Sequence, residues 1–145
     1  MGDRFDCASR ITAALIFFSA FLFAGCNENG PQRHPFEGVV KVNGQPAERV
    51  LVQLTLQNAP EVVGNDRYPS SLTDSQGRFA IGKGSGNVGA IEGEYSITFS
   101  WLSSPDLDAI DKLKGAYGSA ENSKFKIRVP RSEKELLEFD LKPPR

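Results

Sequence analysis

Apolar and polar side chains alternate with a period of two along most of this chain, and that period belongs to strands with one buried face. In "GVVKVNG", Val40 and Val42 share one face, with Val39 and Lys41 on the other. In "RVLVQLTLQN", Val50, Val52, Leu54 and Leu56 point one way and Leu51, Gln53 and Thr55 the other. Phe79 and Ile81 alternate with Arg78 and Ala80. The cleanest run, "EYSITFSW", sets Tyr95, Ile97, Phe99 and Trp101 against Glu94, Ser96, Thr98 and Ser100. "KFKIRV" sets Phe125, Ile127 and Val129 against Lys124, Lys126 and Arg128, and "LEFDL" turns Leu137, Phe139 and Leu141 inward. A strand with one apolar face must bury it against a second layer. For about six or seven such strands the economical arrangement is all-β, an antiparallel β-sandwich.

Two stretches depart from this pattern. "SPDLDAIDKLKG" spaces Leu107, Ile110 and Leu113 as a helix would, with acids early and lysines late, as the helix dipole favours. One short helix is therefore expected over residues 106–114. In "GKGSGNVGAIEG", Gly84, Gly86 and Gly89 stand at the G-x-G-x-x-G spacing of a dinucleotide-binding turn. That turn must open a helix, whose first N–H groups hold the phosphate. After Gly89 the residues alternate as a strand, so a loop between strands is expected, with no nucleotide and no cofactor. Asn43-Gly44 marks a tight turn, because both residues tolerate positive φ.

The N-terminus has a different character. Arg4 and Arg10 precede an apolar run over residues 11–25. A membrane-spanning helix needs about 20 apolar residues, whereas a secretory signal has this length and this order of basic start, apolar stretch and small residues. The run ends "LFAGC", which resembles the lipobox of bacterial lipoproteins: Ala24, Gly25 and Cys26 match, and Phe23 stands where leucine is usual. In that family the chain is cut before the cysteine, the thiol receives a diacylglyceryl group, and the new amino group is commonly acylated. The resemblance implies a signal peptide over 1–25 and a lipidated Cys26 that anchors the protein to a membrane of the bacterial cell envelope, facing the periplasm or the exterior. Each buried methylene contributes about 0.8 kcal/mol, and more than one acyl chain makes such an anchor stable. By the same resemblance, Asn27, a residue other than Asp after the cysteine, is compatible with delivery to an outer membrane. The alternative for Cys26, a disulfide with Cys7, requires an uncleaved signal. Residues 26–35 are then the lipidated cysteine and a polar tether containing Gly30, Pro31 and Pro35, and residues 36–145 are one β-sandwich domain.

Seventeen Lys and Arg against 18 Asp and Glu give a net charge of −1. Removing the signal takes away Arg4, Arg10, Asp3 and Asp6 and leaves that balance unchanged. It argues against nucleic acid and against a polybasic membrane surface, so membrane contact is expected through the lipid on Cys26. With Cys26 lipidated, the remaining domain has no free thiol and no disulfide.

"GVVKVNGQPAERVLVQL", "TDSQGRFAI" and "GEYSITF" together resemble the carboxypeptidase regulatory-like domain, a transthyretin-like (prealbumin-like) Greek-key sandwich common in bacterial envelope lipoproteins. Gly38, Val40, Gly44 and Pro46 match its opening G-x-V-x-x-x-G-x-P. Thr73, Asp74, Gly77 and Phe79 match T-D-x-x-G-x-F, and Gly93 and Tyr95 match G-x-Y. "KGAYGSAENSKFKIRVP" followed by "LEFDL" resembles the ending of many such proteins. The sequence departs from the family at Glu92, where proline is common. These residues have structural jobs. Asp74 is expected to accept backbone N–H groups in a turn, Gly77 to supply positive φ, and Phe79 and Tyr95 to pack in the core.

No catalytic or metal-binding residue is expected. The single histidine, His34, lies in the expected tether, away from any nucleophile. A zinc site wants several His or Cys ligands. Asp106, Asp108 and Asp111 have the residue type for weak calcium binding but lack the glycine and closing glutamate of an EF-hand loop. Glu92 and Glu94 alternate away from the core, and so do Lys41 and Asp140, the nearest candidates for an isopeptide crosslink. Transthyretin-like hydrolases and ring-cleaving dioxygenases need histidines that this chain lacks. Three roles stay open: a lipid-anchored binding or structural module of the cell envelope, an accessory subunit docking on an envelope protein through a sheet edge or Trp101, and an enzyme of another type. A glycan or an envelope protein is the partner class expected for the first two, with carbohydrate binding one form of the module.

Overall fold

The computed structural model describes residues 30–83, 89–131 and 136–145. Cys26, Gly84 and Gly86 lie outside them. The folded unit, Pro31–Arg145, is all-β. Its strands are β1 (Arg33–His34), β2 (Phe36–Val42), β3 (Gln45–Pro46), β4 (Leu51–Leu56), β5 (Ser70–Leu72), β6 (Arg78–Ile81), β7 (Ala90–Ile91), β8 (Gly93–Ser100), β9 (Lys126–Val129) and β10 (Leu137–Leu141). Among the described residues, helical structure is confined to one 3₁₀ turn at Gly64–Asp66, and no helix is long and apolar enough to cross a membrane.

One four-stranded sheet has the order β5-β4-β8-β9 and is antiparallel throughout. In the other, β2 pairs with β6 along its first half, with β3 at its end, and with β10. The β2–β10 pair is parallel, with Phe139 opposite Val40 and Leu141 opposite Val42. This corrects the expectation of a wholly antiparallel arrangement. Period-two alternation states which face of a strand is buried, whereas strand direction depends on how a distant segment returns. β1 pairs with β7, so Arg33 and His34, within the span read as tether, are part of the sheet structure.

The alternation predicts burial well. Val40, Val50, Val52, Leu54, Ile81, Tyr95, Ile97, Phe99 and Leu141 are all fully buried. Residues of both four-stranded sheets belong to one apolar cluster. At its centre the Phe139 ring on β10 lies 5.2 Å from Phe99 and 5.3 Å from Phe125. Burying a side chain of this size stabilises by about 1.5–3 kcal/mol relative to exposure. The polar face of β8, expected to point outward, is covered as well: Ser96 and Thr98 are buried, and so is Thr55 on β4.

The turns follow local chemistry. Asn43 and Gly44 have φ of 52° and 79° and join β2 to β3. Asp74 Oδ1 accepts the N–H groups of Gln76 and Arg78, and Gly77 has φ of 72°. A side chain at Gly77 would meet the Val40 carbonyl oxygen at 2.4 Å.

Residues 106–114 do not form the expected helix. After β8 the chain folds back on itself: Leu102 bridges Asp111, Ser103 N–H donates to Ile110 O, and Lys112 N–H donates to Trp101 O. Tight turns follow, closed by Lys114 N–H to Asp111 O and Ala116 N–H to Leu113 O. The cause is the Asp111 carboxylate. It accepts the N–H groups of Trp101, Leu113 and Gly115 at 2.9–3.0 Å and offers the backbone partners that compete with helical ones. Of the three apolar residues at helical spacing, Leu113 alone is buried, and Leu107 and Ile110 face solvent.

Candidate functional site

The sequence candidates fall at separate places in the fold. Gly89 leads into β7 and then β8, both strands. His34 sits in β1 opposite Ala90, and its side chain makes no hydrogen bond among the described residues. Glu92 and Glu94 are exposed. Lys41 and Asp140 are register partners across β2 and β10, yet both face outward. Lys41 Nζ pairs with Glu138 Oε1 at 2.7 Å, and Asp140 Oδ1 accepts the Gly44 N–H at 2.8 Å. That N–H, aided by Lys142 and Lys41, holds the Asp140 carboxyl below the ordinary aspartate value. Arg33 pairs with Asp66, lowering the Asp66 pKa in the same way and fixing β1 to the 3₁₀ turn.

Trp101 is engaged within the fold. Its indole N–H donates to Glu48 O at 3.0 Å, and the Lys112 ammonium lies 4.4 Å from the ring centre. The acidic loop presents Asp106 and Asp108 to solvent, while Asp111 is turned to the backbone. Among the described residues no three His, Cys, Asp or Glu side chains gather to hold a metal.

A cleft lies beside β8, at residues that no motif of known chemistry marks. Its volume is about 210 Å³, and its lining includes the buried Ile97, the aromatic Tyr117 and Phe125, and the exposed Asn122, Lys124 and Lys142. Tyr117 and Phe125 are half-buried, their rings 6.3 Å apart and inclined 30°. Backbone pairing sets this geometry: Phe99 N–H donates to Tyr117 O, and Ile97 N–H donates to Phe125 O. The Ser123 hydroxyl donates to Ile97 O at 2.5 Å and accepts the Phe125 N–H, so the 117–125 segment is stitched to the edge of β8. The Tyr117 hydroxyl donates to Lys142 O at 3.1 Å and accepts the Lys142 N–H at 2.8 Å, tying down the chain after β10. Two aromatic rings beside an amide and two lysines, of which Lys142 also pairs with Asp140 Oδ2 at 3.3 Å, suit binding of an apolar group that carries negative charge. The hint in the sequence was Tyr117 in "KGAYG", a large aromatic in a turn-rich stretch with no alternation to explain it.

No family model, curated protein or solved structure matches the chain.

Proposed function

We propose that this protein is a lipid-anchored module of the bacterial cell envelope, with a binding or structural role and no catalysis. The observation that carries the reading is the order of segments. A basic start, an apolar run of signal length and Ala24-Gly25-Cys26 stand directly before a folded all-β unit that spans Pro31–Arg145. A lipid on Cys26 would hold that unit at the membrane through a short polar linker.

The finer fold we propose is a transthyretin-like, Greek-key β-sandwich of the carboxypeptidase regulatory-like kind. Two features support it. Apolar residues of both four-stranded sheets enter one cluster. The motif residues also have the structural jobs that the resemblance assigns them, with Asp74 and Gly77 in a turn and Phe79 and Tyr95 buried.

A second reading, an accessory subunit docking on an envelope protein, is favoured by the exposed apolar residues Leu102, Leu107 and Ile110 on the loop after β8. Expression in a bacterium with labelled fatty acid tests the main reading. Wild type should incorporate label, and Cys26→Ser should incorporate none and keep its signal. Equal labelling of both proteins would refute the anchor.

A further inference from the structure

Two surface features have complementary chemistry. The first is the tip of the loop after β8. Leu107 there is fully exposed and Ile110 is 73 % exposed. Asp106 and Asp108 flank Leu107, both exposed, and no Lys or Arg stands between Leu102 and Asp111. The tip is held by its base. Asp111 accepts three backbone N–H groups, and the Ser103 hydroxyl accepts the Ile110 N–H at 3.0 Å. An apolar side chain is thus presented on an ordered support between two carboxylates.

The second feature is the cleft beside β8. Its lining holds two aromatic residues, Tyr117 and Phe125, and two lysines, Lys124 and Lys142. Lys124 makes no ion pair among the described residues, and the Lys142 side chain is 70 % exposed, with Asp140 Oδ2 3.3 Å from its ammonium. The volume of about 210 Å³ is open to solvent beside Tyr117 and Phe125.

We propose that the tip of one copy docks in the cleft of a second copy. Leu107 covers the Tyr117 and Phe125 rings, and Asp106 and Asp108 face Lys124 and Lys142. Charge selects this pairing over its alternatives. Tip against tip opposes carboxylates, and cleft against cleft opposes ammonium groups, each of which is unfavourable. The contact is heterologous: each copy brings one tip and one cleft, so copies associate head to tail. A loop tip buries well under the ~1,200 Å² of a stable complex, so the association is weak and falls with added salt. It does not depend on a lipid at Cys26, and its failure would leave the anchor reading untouched.

A zero-length carbodiimide crosslinker joins a carboxylate to an ammonium only in direct contact. The full chain in detergent, prepared as an equal mixture of ¹⁵N-labelled and unlabelled protein, is treated with it, digested and analysed by mass spectrometry. Mixed-isotope peptides linking Asp106 or Asp108 to Lys124 or Lys142 are expected. The double variants D106K/D108K and K124E/K142E each lack one of the two reacting groups and alone should give none of these links, so they serve as the two halves of a complementation test. Mixing the two variants should restore them, because the native tip of one meets the native cleft of the other. Links confined to single-isotope peptides, mixed-isotope links at other sites alone, or no recovery on mixing would each overturn the proposal.

Discussion

The rings of Phe99 and Phe139 lie 5.2 Å apart and inclined by 55°, although their strands, β8 and β10, belong to different sheets. Phe99 is fully buried and Phe139 nearly so. This contact joins the two sheets at the centre of the core. Phe99→Ala should destabilise the fold by about 3–5 kcal/mol in denaturant unfolding. In a double-mutant cycle with Phe139→Ala, a coupling of about 0.5–1.5 kcal/mol is expected. A loss below about 1 kcal/mol for Phe99→Ala would place the ring outside the core.

Thr73 acts through its hydroxyl. The group is buried, donates to Ala47 O at 2.6 Å and accepts the Val50 N–H at 2.8 Å. It joins the turn before β4 to the turn before β6. Thr73→Val keeps the shape and leaves both backbone groups without a partner, which should cost about 1–3 kcal/mol. Thr73→Ser should cost less, because the hydroxyl remains. Equal costs for the two variants would mean that packing of the methyl group, and not the hydrogen bonds, is what Thr73 contributes.

Two glycines at positive φ separate backbone preference from space. Gly44 has φ of 79° with nothing within 4 Å of an added Cβ, whereas Gly77 has φ of 72° and the Val40 carbonyl oxygen at 2.4 Å. Gly44→Ala should cost about 1–2 kcal/mol, the penalty of the left-handed region alone. Gly77→Ala should cost more than Gly44→Ala, because the strand β2 must also shift. The reverse order, measured by urea unfolding, would contradict the close approach.

Asp140 gives a pH dependence with a definite sign. Its carboxyl is held below the ordinary value, first by the Gly44 N–H and then by Lys142. A group with a lowered native pKa stabilises the fold above its unfolded pKa, about 3.9 for aspartate, and that contribution is lost as pH falls through the native value. The stability difference between wild type and Asp140→Asn should therefore stay constant from about pH 7 to pH 5 and shrink below about pH 4. A difference that grows on acidification would contradict the assignment.

The sequence made some of this architecture readable and left the rest dark for physical reasons. Alternation identified the buried faces of β2, β4, β8 and β10, because burial of one face is written into neighbouring residues. Asn43-Gly44 and Asp74 to Gly77 were readable as turns, because positive φ and a short side-chain acceptor are local requirements. The parallel pairing of β10 with β2 was not readable, since it depends on which distant strand lies alongside. β1 was hidden for a related reason: Arg33 and His34 carry no alternation and are ordered by β7 and Asp66. The loop after β8 imitated a helix because Leu107, Ile110 and Leu113 have the spacing, but the Asp111 carboxylate takes the backbone N–H groups instead. The cleft arises only when the 117–125 segment and the chain after β10 meet at β8, and no single stretch announces that meeting.

The mass of the protein recovered from bacterial membranes tests the central claim most directly. Intact-mass and N-terminal peptide analysis should find a chain that begins at Cys26, with a diacylglyceryl group on its sulfur and an acyl group on its amino terminus. The rest of the sequence should carry no added mass. A chain that begins at any other residue, or that begins at Cys26 with an unmodified thiol, would contradict the account.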